Sequence, residues 1–357
     1  MSACLRLARR HEGLTGTNPS VGTLLVQFHN GEPVVVGRGV TALGGRPHAE
    51  SVAIAEAGIR AHGATAFVSL EPCSHHGVTP PCAQALIDAG VARVFTAWID
   101  PDSRVDGKGH AMLKAAGIDV QIGLHGHQAE RDLAGYLTRK TLNRPHVHLK
   151  LAVSRDGKIG IKEDGQIPIT GAVSRAQVHR MRSLSDAILV GAGTLRADDP
   201  ELTCRLPGLE KRSPKRFVLA GNQPLPMNRK LFRDLTHAPT FVVAGENFDE
   251  DQRSELSRAG VNLFSAEFHN GTIALPELLD DMAQTGISTL FVEGGSAIAS
   301  AFLNAGLVDR LSIFMGPAEI GGNGVAAPIT EKTVPDDFVL ERTMLFSEDR
   351  YSGFNRR

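Results

Sequence analysis

His48-Ala49-Glu50, followed by Glu71-Pro72-Cys73-Ser74-His75-His76-Gly77-Val78-Thr79-Pro80-Pro81-Cys82, brings one imidazole and two thiolates into a short span of sequence. Three such ligands leave the fourth tetrahedral position of a zinc ion to water, the open geometry of a catalytic site. Glu50 follows His48 by two residues, where its carboxylate can carry a proton without ligating the metal. This spacing constrains the fold. In mid-helix, positions i and i+2 point to nearly opposite sides, so His48 and Glu50 share a site only at a helix's first turn. The partial positive charge of helix N-termini also favours thiolates. Helices are therefore expected to begin at His48 and at Pro81.

The surrounding sequence alternates between strand and helix patterns. Residues 1 to about 14 read as a helix, and Val21–Phe28 and Val34–Val40 as strands flanking the hairpin signal Asn30-Gly31. A helix from His48 to about Arg60 precedes a strand at Ala64–Leu70, and a short helix at Pro81–Ala89 precedes a strand at Arg93–Ile99. Lys108–Ala115 and Ile118–Ile122 repeat the unit. Such alternation predicts an α/β sheet with parallel strands and covering helices. A charged, helix-compatible stretch, His127–Lys140, runs into Asn143-Arg144-Pro145. The proline disfavours helix at the residue before it, which places a domain boundary there. A second series of strands follows at Val147–Val153, Ala187–Val190, Arg216–Leu219, Phe241–Ala244, Thr289–Val292 and Arg310–Met315.

At 357 residues the chain exceeds the size at which one core keeps growing, so two domains are expected, 1–144 and 145–357. Apolar residues make up 42% and charged residues 22%, as in an ordinary globular enzyme. A net charge of −1 gives no basic field to favour nucleic acid. No apolar run approaches the ~20 residues that span a bilayer, and the N-terminus shows no signal-peptide pattern. A cytoplasmic enzyme acting on a small molecule is the expectation, with the oligomeric state, a homo-oligomer included, left open. Of four cysteines, Cys73 and Cys82 are assigned to metal, while Cys4 and Cys204 read as small packed side chains.

The order H-x-E then P-C is the signature of zinc-dependent cytosine and adenine deaminases, in which water activated by the metal attacks the amino-bearing ring carbon while the glutamate shuttles protons. The usual second half is P-C-x-x-C; here eight residues separate the cysteines. A closed structural site would need a fourth ligand, which His75 or His76 can supply; otherwise these histidines read as substrate contacts or as supports for the ligands. The Glu71–Gly77 and Thr79–Cys82 segments, with Thr17-Asn18-Pro19-Ser20-Val21-Gly22, resemble the deaminase domain of the bifunctional riboflavin-biosynthesis deaminase/reductase family. The resemblance makes Asn18 a partner of the substrate ring.

Lys150–Ile159, Ile169-Thr170-Gly171, Asp186–Gly191, Thr194, Asp198–Thr203 with Arg205, and Val292-Glu293-Gly294-Gly295 resemble that family's reductase domain. The resemblance implies a cytidine-deaminase-like zinc domain joined to a dihydrofolate-reductase-like domain that uses NADPH to reduce a ribosyl group to ribityl. It also implies substrate contacts at Lys150, Gln166, Arg182, Leu202, Arg205 and Glu293. Cofactor contacts fall at Ala152, Pro168, Thr194, Asp198, Gly295 and Ser296. On chemistry alone, Arg182 and Arg205 suit a phosphate through bidentate guanidinium contacts, and the glycines before Ser296 suit close approach of a pyrophosphate to backbone N–H groups. Gly191-Ala192-Gly193 is not a Rossmann fingerprint, since Arg196 stands where a third glycine is needed. Pro168 replaces a common tryptophan, Gln166 a serine, and Arg155 an apolar residue. No residue is identified that reads the 2′-phosphate. The competing readings are a nucleoside or tRNA deaminase with an unrelated C-terminal module and a zinc-stabilised binding protein. The first predicts the short cysteine spacing and, for tRNA, a basic field; neither is present. The second predicts no ammonia release.

Overall fold

The computed structural model describes residues 1–76, 80–161, 167–269 and 272–357, and the chain divides into two compact units, Met1–Asn143 and Arg144–Arg357. No helix among the described residues is long and apolar enough to cross a membrane.

The first unit runs α1 (Ser2–Ala8), β1 (Gly22–His29), β2 (Glu32–Val40), α2 (Ala49–Ala57), β3 (Thr65–Val68), α3 (Cys82–Asp88), β4 (Arg93–Thr96), α4 (Lys108–Ala115), β5 (Asp119–Ile122), α5 (Gly126–Asp132) and α6 (Ala134–Leu142). Its sheet has the order β2-β1-β3-β4-β5; β1 is antiparallel to both neighbours, and β3, β4 and β5 are parallel. The expected parallel sheet is thus mixed, because the Asn30-Gly31 hairpin turns the chain straight back. Both turn residues have positive φ, 52° and 85°, the pairing that matches strand twist in a two-residue hairpin. The opening helix is shorter than expected: α1 ends at Ala8 and tightens into a 3₁₀ turn, Arg9–His11. The His127–Lys140 stretch forms two helices that meet at Leu133.

Alternate residues of β1 serve different cores. Leu25 packs with Ala49, Ala53 and Ala57 of α2, whereas Leu24 and Val26 pack with Cys4 of α1. The α2 contact is close because β2 presents glycine to it. A Cβ at Gly39 would lie 1.8 Å from the Ala49 carbonyl oxygen, and one at Gly37 would lie 2.2 Å from that of Ala53. Since α2 carries Glu50 in its first turn, this fit positions the metal centre. Gly39→Ala is expected to lower the stability of this unit by about 1–3 kcal/mol through overpacking. Denaturant unfolding checks this, and a transition coincident with the wild type would contradict it.

The second unit runs β6 (His146–Val153), β7 (Lys158–Ile161), α7 (Ala172–Arg182), β8 (Ala187–Gly191), α8 (Ala192–Asp198), β9 (Lys215–Gly221), α9 (Lys230–Arg233), β10 (Thr240–Ala244), α10 (Glu250–Arg258), β11 (Asn262–Ser265), β12 (Phe268–His269), β13 (Thr272–Ile273), α11 (Leu275–Gln284), β14 (Thr289–Val292), α12 (Ser296–Asn304), β15 (Arg310–Met315), β16 (Gly324–Ala326), β17 (Phe338–Phe346) and β18 (Asp349–Arg356). The main sheet has the order β11-β10-β9-β8-β14-β6-β15-β18-β17, parallel from β11 to β15 and closed by two antiparallel strands. Every residue of β8 is buried, the pattern of a parallel strand covered on both faces. On β6, Val147, Leu149, Leu151 and Val153 enter one core, which turns His146, His148, Lys150 and Ala152 to the other face. Period-two alternation therefore brings Lys150 to the functional face. The crevice at the carboxyl ends of β8 and β14 is where ligands bind in open α/β sheets.

Candidate functional site

In the first unit, α2 starts where expected. His48 is its N-cap, in extended conformation, and Glu50 lies in its first turn. Pro81 caps α3, whose first residue is Cys82, while Cys73 follows β3 in the intervening loop. His48, Cys73 and Cys82 offer ligand atoms that all lie within 4.8 Å of one another. His48 Nδ1 is 3.7 Å from Cys73 Sγ and 3.4 Å from Cys82 Sγ. A tetrahedral zinc with bonds of about 2.3 Å to sulfur and 2.0–2.1 Å to nitrogen separates S from N by ~3.6 Å, so these atoms fit that ion. The backbone N–H of Cys82 donates to Cys73 Sγ at 3.3 Å, and the N–H of Ala83 donates to the Cys73 carbonyl at 3.1 Å.

The electrostatics suit this reading. A hydrogen bond from Cys82, aided by His48, pulls the Cys73 thiol down, while sharing with Cys73 and burial push Cys82 up. Cys73 is thus the more readily ionised of the two thiols. Glu50 is 3% exposed, and burial, with the Cys73 thiolate beside it, pushes its carboxyl up to about 7. A dication here would oppose that shift. His75 has a buried Nδ1 without a partner among the described residues, and His48 Nε2 is in the same condition. Asn18 donates from Nδ2 to the Gly45 carbonyl at 3.0 Å, which fixes its amide.

Sequence reasoning gave Glu71 no role beyond the motif. Its buried carboxylate accepts from the N–H groups of Asp100 (3.3 Å), Gly107 (3.0 Å) and His110 (3.2 Å), tying the Glu71-Pro72-Cys73 segment to the 100–107 loop and the first turn of α4. Gly109 must lack a side chain, since a Cβ would meet the Pro72 carbonyl oxygen at 2.0 Å. These roles depend on tertiary contact and leave no local pattern.

In the second unit, Lys150, Ala152, Pro168, Arg182, Thr194, Asp198, Leu202, Arg205, Glu293 and Gly295 line one cavity of about 270 Å³. A larger one, of about 1180 Å³, shares Thr194, Asp198 and Gly295 and adds Ser296. Gln166 lies outside the described residues. Glu293 takes a two-point contact from Arg182 (Nε 2.5 Å, Nη2 3.1 Å), and Lys150 Nζ lies 3.9 Å from it. Burial opposes ionisation of Glu293, but Arg182 and Lys150 outweigh it and hold the carboxyl low. Burial lowers Lys150 and raises Asp198. Arg182 also donates to the Thr203 carbonyl at 3.0 Å, whereas Arg205 is half-exposed and pairs with Glu201 at 2.8 Å. Thr194 Oγ1 accepts from the Gly295 N–H at 3.2 Å, joining the ends of β8 and β14. Leu202 holds φ +57° although it is buried, and the loop around it is pinned by Arg216. The guanidinium of Arg216, itself 1% exposed, donates to the carbonyls of Glu201 (3.2 Å), Asp234 (2.6 Å) and Ala238 (2.7 Å).

A three-ligand His-Cys-Cys cluster beside a buried glutamate, on a five-stranded mixed sheet, defines the first unit as a zinc deaminase domain of the cytidine deaminase class; the second unit has the architecture of a dihydrofolate-reductase-like domain. Family models agree: residues 1–98 match the "cytidine and deoxycytidylate deaminase zinc-binding region" and residues 145–344 the "RibD C-terminal domain". The riboflavin biosynthesis protein RibD of Bacillus amyloliquefaciens is 39% identical over 322 residues, covering 90% of this chain and 85% of that protein. That of Escherichia coli K12 is 38% identical over 339 residues, covering 90% and 88%. The solved structure of Acinetobacter baumannii RibD superposes with a TM-score of 0.87 at 32% identity, over 100% of this chain and 97% of that one. The chain belongs to the RibD family, the bifunctional deaminase/reductases of riboflavin biosynthesis.

Proposed function

We propose that the chain first deaminates 2,5-diamino-6-ribosylamino-pyrimidinone 5′-phosphate hydrolytically and then reduces the ribosyl group of the product to ribityl with NADPH. We assign the first step to residues 1–144 and the second to residues 145–357, in a cytoplasmic enzyme. The observation that carries this reading is the co-occurrence, in one chain, of the His48–Cys73–Cys82 cluster around Glu50 and of a dinucleotide-sized cavity joined to a basic pocket.

His48, Cys73 and Cys82 would hold the zinc, which supplies a water activated at neutral pH. Glu50 would accept a proton from that water and pass it to the ring nitrogen as the oxygen bonds to the amino-bearing carbon. It would then take the remaining hydroxyl proton and pass it to the amine, so that the C–N bond breaks, the carbonyl forms and ammonia leaves. Asn18, held by Gly45, orients the ring. In the second unit, Lys150 and Glu293 contact the ribosyl hydroxyls, and Arg182 holds Glu293 in place while reaching the substrate. Gln166 and the backbone at Leu202 complete the substrate contacts. Ala152, Pro168, Thr194, Asp198, Gly295 and Ser296 contact the dinucleotide, whose reduced nicotinamide supplies the hydride. Pro168 offers no aromatic face there, so packing on that side is aliphatic.

Arg205 is assigned to the substrate phosphate. Its partner Glu201 is solvent-accessible, so that ion pair is weak and easily replaced. Arg205→Ala is expected to raise the KM of the reductase step roughly 10–100-fold, the worth of a charged hydrogen-bonding contact. An accompanying fall in kcat would mean that the anchor also aligns the reacting carbon. Unchanged reductase kinetics would remove Arg205 from the site. The whole reading is tested by incubating the purified protein with the diaminopyrimidinone substrate and identifying products by mass. The deaminated compound is expected without NADPH, and the deaminated, reduced compound with it. An untouched substrate under both conditions would refute the assignment.

A further inference from the structure

The larger cavity of the second unit raises a charge question. It extends from Ile159 and Val325, past the glycines at the ends of β8 and β14, to the end of β9 at Gly221, Asn222 and Gln223. Its volume of about 1180 Å³ leaves room for a dinucleotide. A 2′-phosphate adds negative charge to the adenosine ribose, and proteins that accept it place a cation, most often arginine, beside that ribose. Among the described residues that line the cavity there is no lysine or arginine, and the ionisable ones are Asp198, His269 and Glu277. His269 Nε2 is already 3.3 Å from Glu277 Oε1, so its neighbourhood carries a compensating negative charge.

A committed cation does stand at the cavity's edge. Arg196, on α8, donates from Nη2 to Gln223 Oε1 at 3.1 Å and to the Pro224 carbonyl at 2.8 Å. Gln223 lines the cavity, so the guanidinium is tied to a residue of its wall. The base of the arrangement is braced: Arg229 Nη2 donates to the Arg196 carbonyl at 3.0 Å, which fixes the turn of α8 that carries it. The contacts of Arg196 are to neutral oxygens, and a guanidinium has five N–H donors. A phosphate arriving beside Asn222 and Gln223 would gain a charge-assisted contact that neutral oxygens do not match.

We propose that Arg196, docked on Gln223, is the residue that selects the 2′-phosphorylated nicotinamide dinucleotide over the unphosphorylated one. This rests on the reductase reading and names the residue that gives it cofactor specificity. Thr194 and Gly295 contact parts common to both dinucleotides; Arg196 meets the one group that differs.

The test uses the full-length protein and its Arg196→Gln and Arg196→Lys variants. Dissociation constants for NADPH and NADH are measured by fluorescence titration, and kcat/KM for each with the deaminated substrate. For Arg196→Gln, NADPH binding is expected to weaken roughly 10–100-fold, with NADH binding changed less than about two-fold. Arg196→Lys keeps the charge without the fork and should recover part of the preference. A salt titration gives a third reading: NADPH affinity should fall with ionic strength more steeply in the wild type than in Arg196→Gln. Equal weakening toward both dinucleotides would show a role in folding or packing and overturn the proposal. So would a preference for NADPH that survives Arg196→Gln intact. A wild-type protein that bound neither dinucleotide would instead bring down the reductase reading, and this inference with it.

Discussion

Glu50→Ala is expected to abolish ammonia release while the protein keeps its zinc. The candidate ligand atoms are those of His48, Cys73 and Cys82, and their spacing fits an ion without a carboxylate. Glu50 instead sits in the first turn of α2, 3% exposed, with burial raising its carboxyl to about 7. A carboxyl so placed gains and loses a proton readily, and a bound dication would bring it down toward the ionised form that acts as a base. A single general acid–base group contributes typically about 10²–10⁴-fold. In the proposed reaction Glu50 serves at least two transfers, to the ring nitrogen and to the amine, so the upper part of that range or beyond is expected. Ammonia assay and metal analysis on the same sample give the two readouts. Stoichiometric zinc loss in the variant would make Glu50 a ligand and sink the assignment. Reductase turnover of the deaminated substrate should be untouched.

The legibility of this chain divides along physical lines. A metal site needs particular side chains, and few residue types ligate zinc, so His48, Cys73 and Cys82 stand out although 25 and 34 positions separate the histidine from the cysteines. The helix starts at His48 and Pro81 followed from geometry, because only a first turn lets His48 and Glu50 share a site. Asn30-Gly31 announced its hairpin through residues that tolerate positive φ. The β17–β18 hairpin gave no such signal: its turn is Ser347-Glu348, with serine at φ +59°, and its strands carry exposed Val339, Leu340, Met344 and Leu345. Sequence periodicity does not distinguish such strands from loop. Arg216 and Glu71 were illegible for a different reason. A buried arginine that holds three carbonyls, or a glutamate that gathers three N–H groups, is defined by what the fold brings to it. The reductase cavity is intermediate. Its polar members were read through resemblance, whereas the β9 end at Gly221-Asn222-Gln223 carries no motif.

Cys73→Ser and Cys82→Ser should each lose both metal and deaminase activity, yet reduce the deaminated substrate at the wild-type rate. Serine nearly matches cysteine in shape, but its hydroxyl does not ionise at neutral pH and offers zinc a poor ligand in place of a thiolate. The effect on deamination should therefore be close to complete, and a chelator acting on the wild type should reproduce it. Survival of the second activity follows from the cores. Leu25, Val68, Leu86 and Val94 belong to a cluster in the first unit, and Leu149, Leu189, Leu290 and Leu311 to another in the second. Among the described residues, no metal-holding group occurs outside His48, Cys73 and Cys82. The second unit thus has its own apolar core, distinct from the apolar cluster of the unit that carries His48, Cys73 and Cys82. Circular dichroism establishes that each variant is folded before its activities are compared. A folded variant that lost both activities would contradict the two-site account. One that kept zinc and full deamination would remove that cysteine from the ligand set.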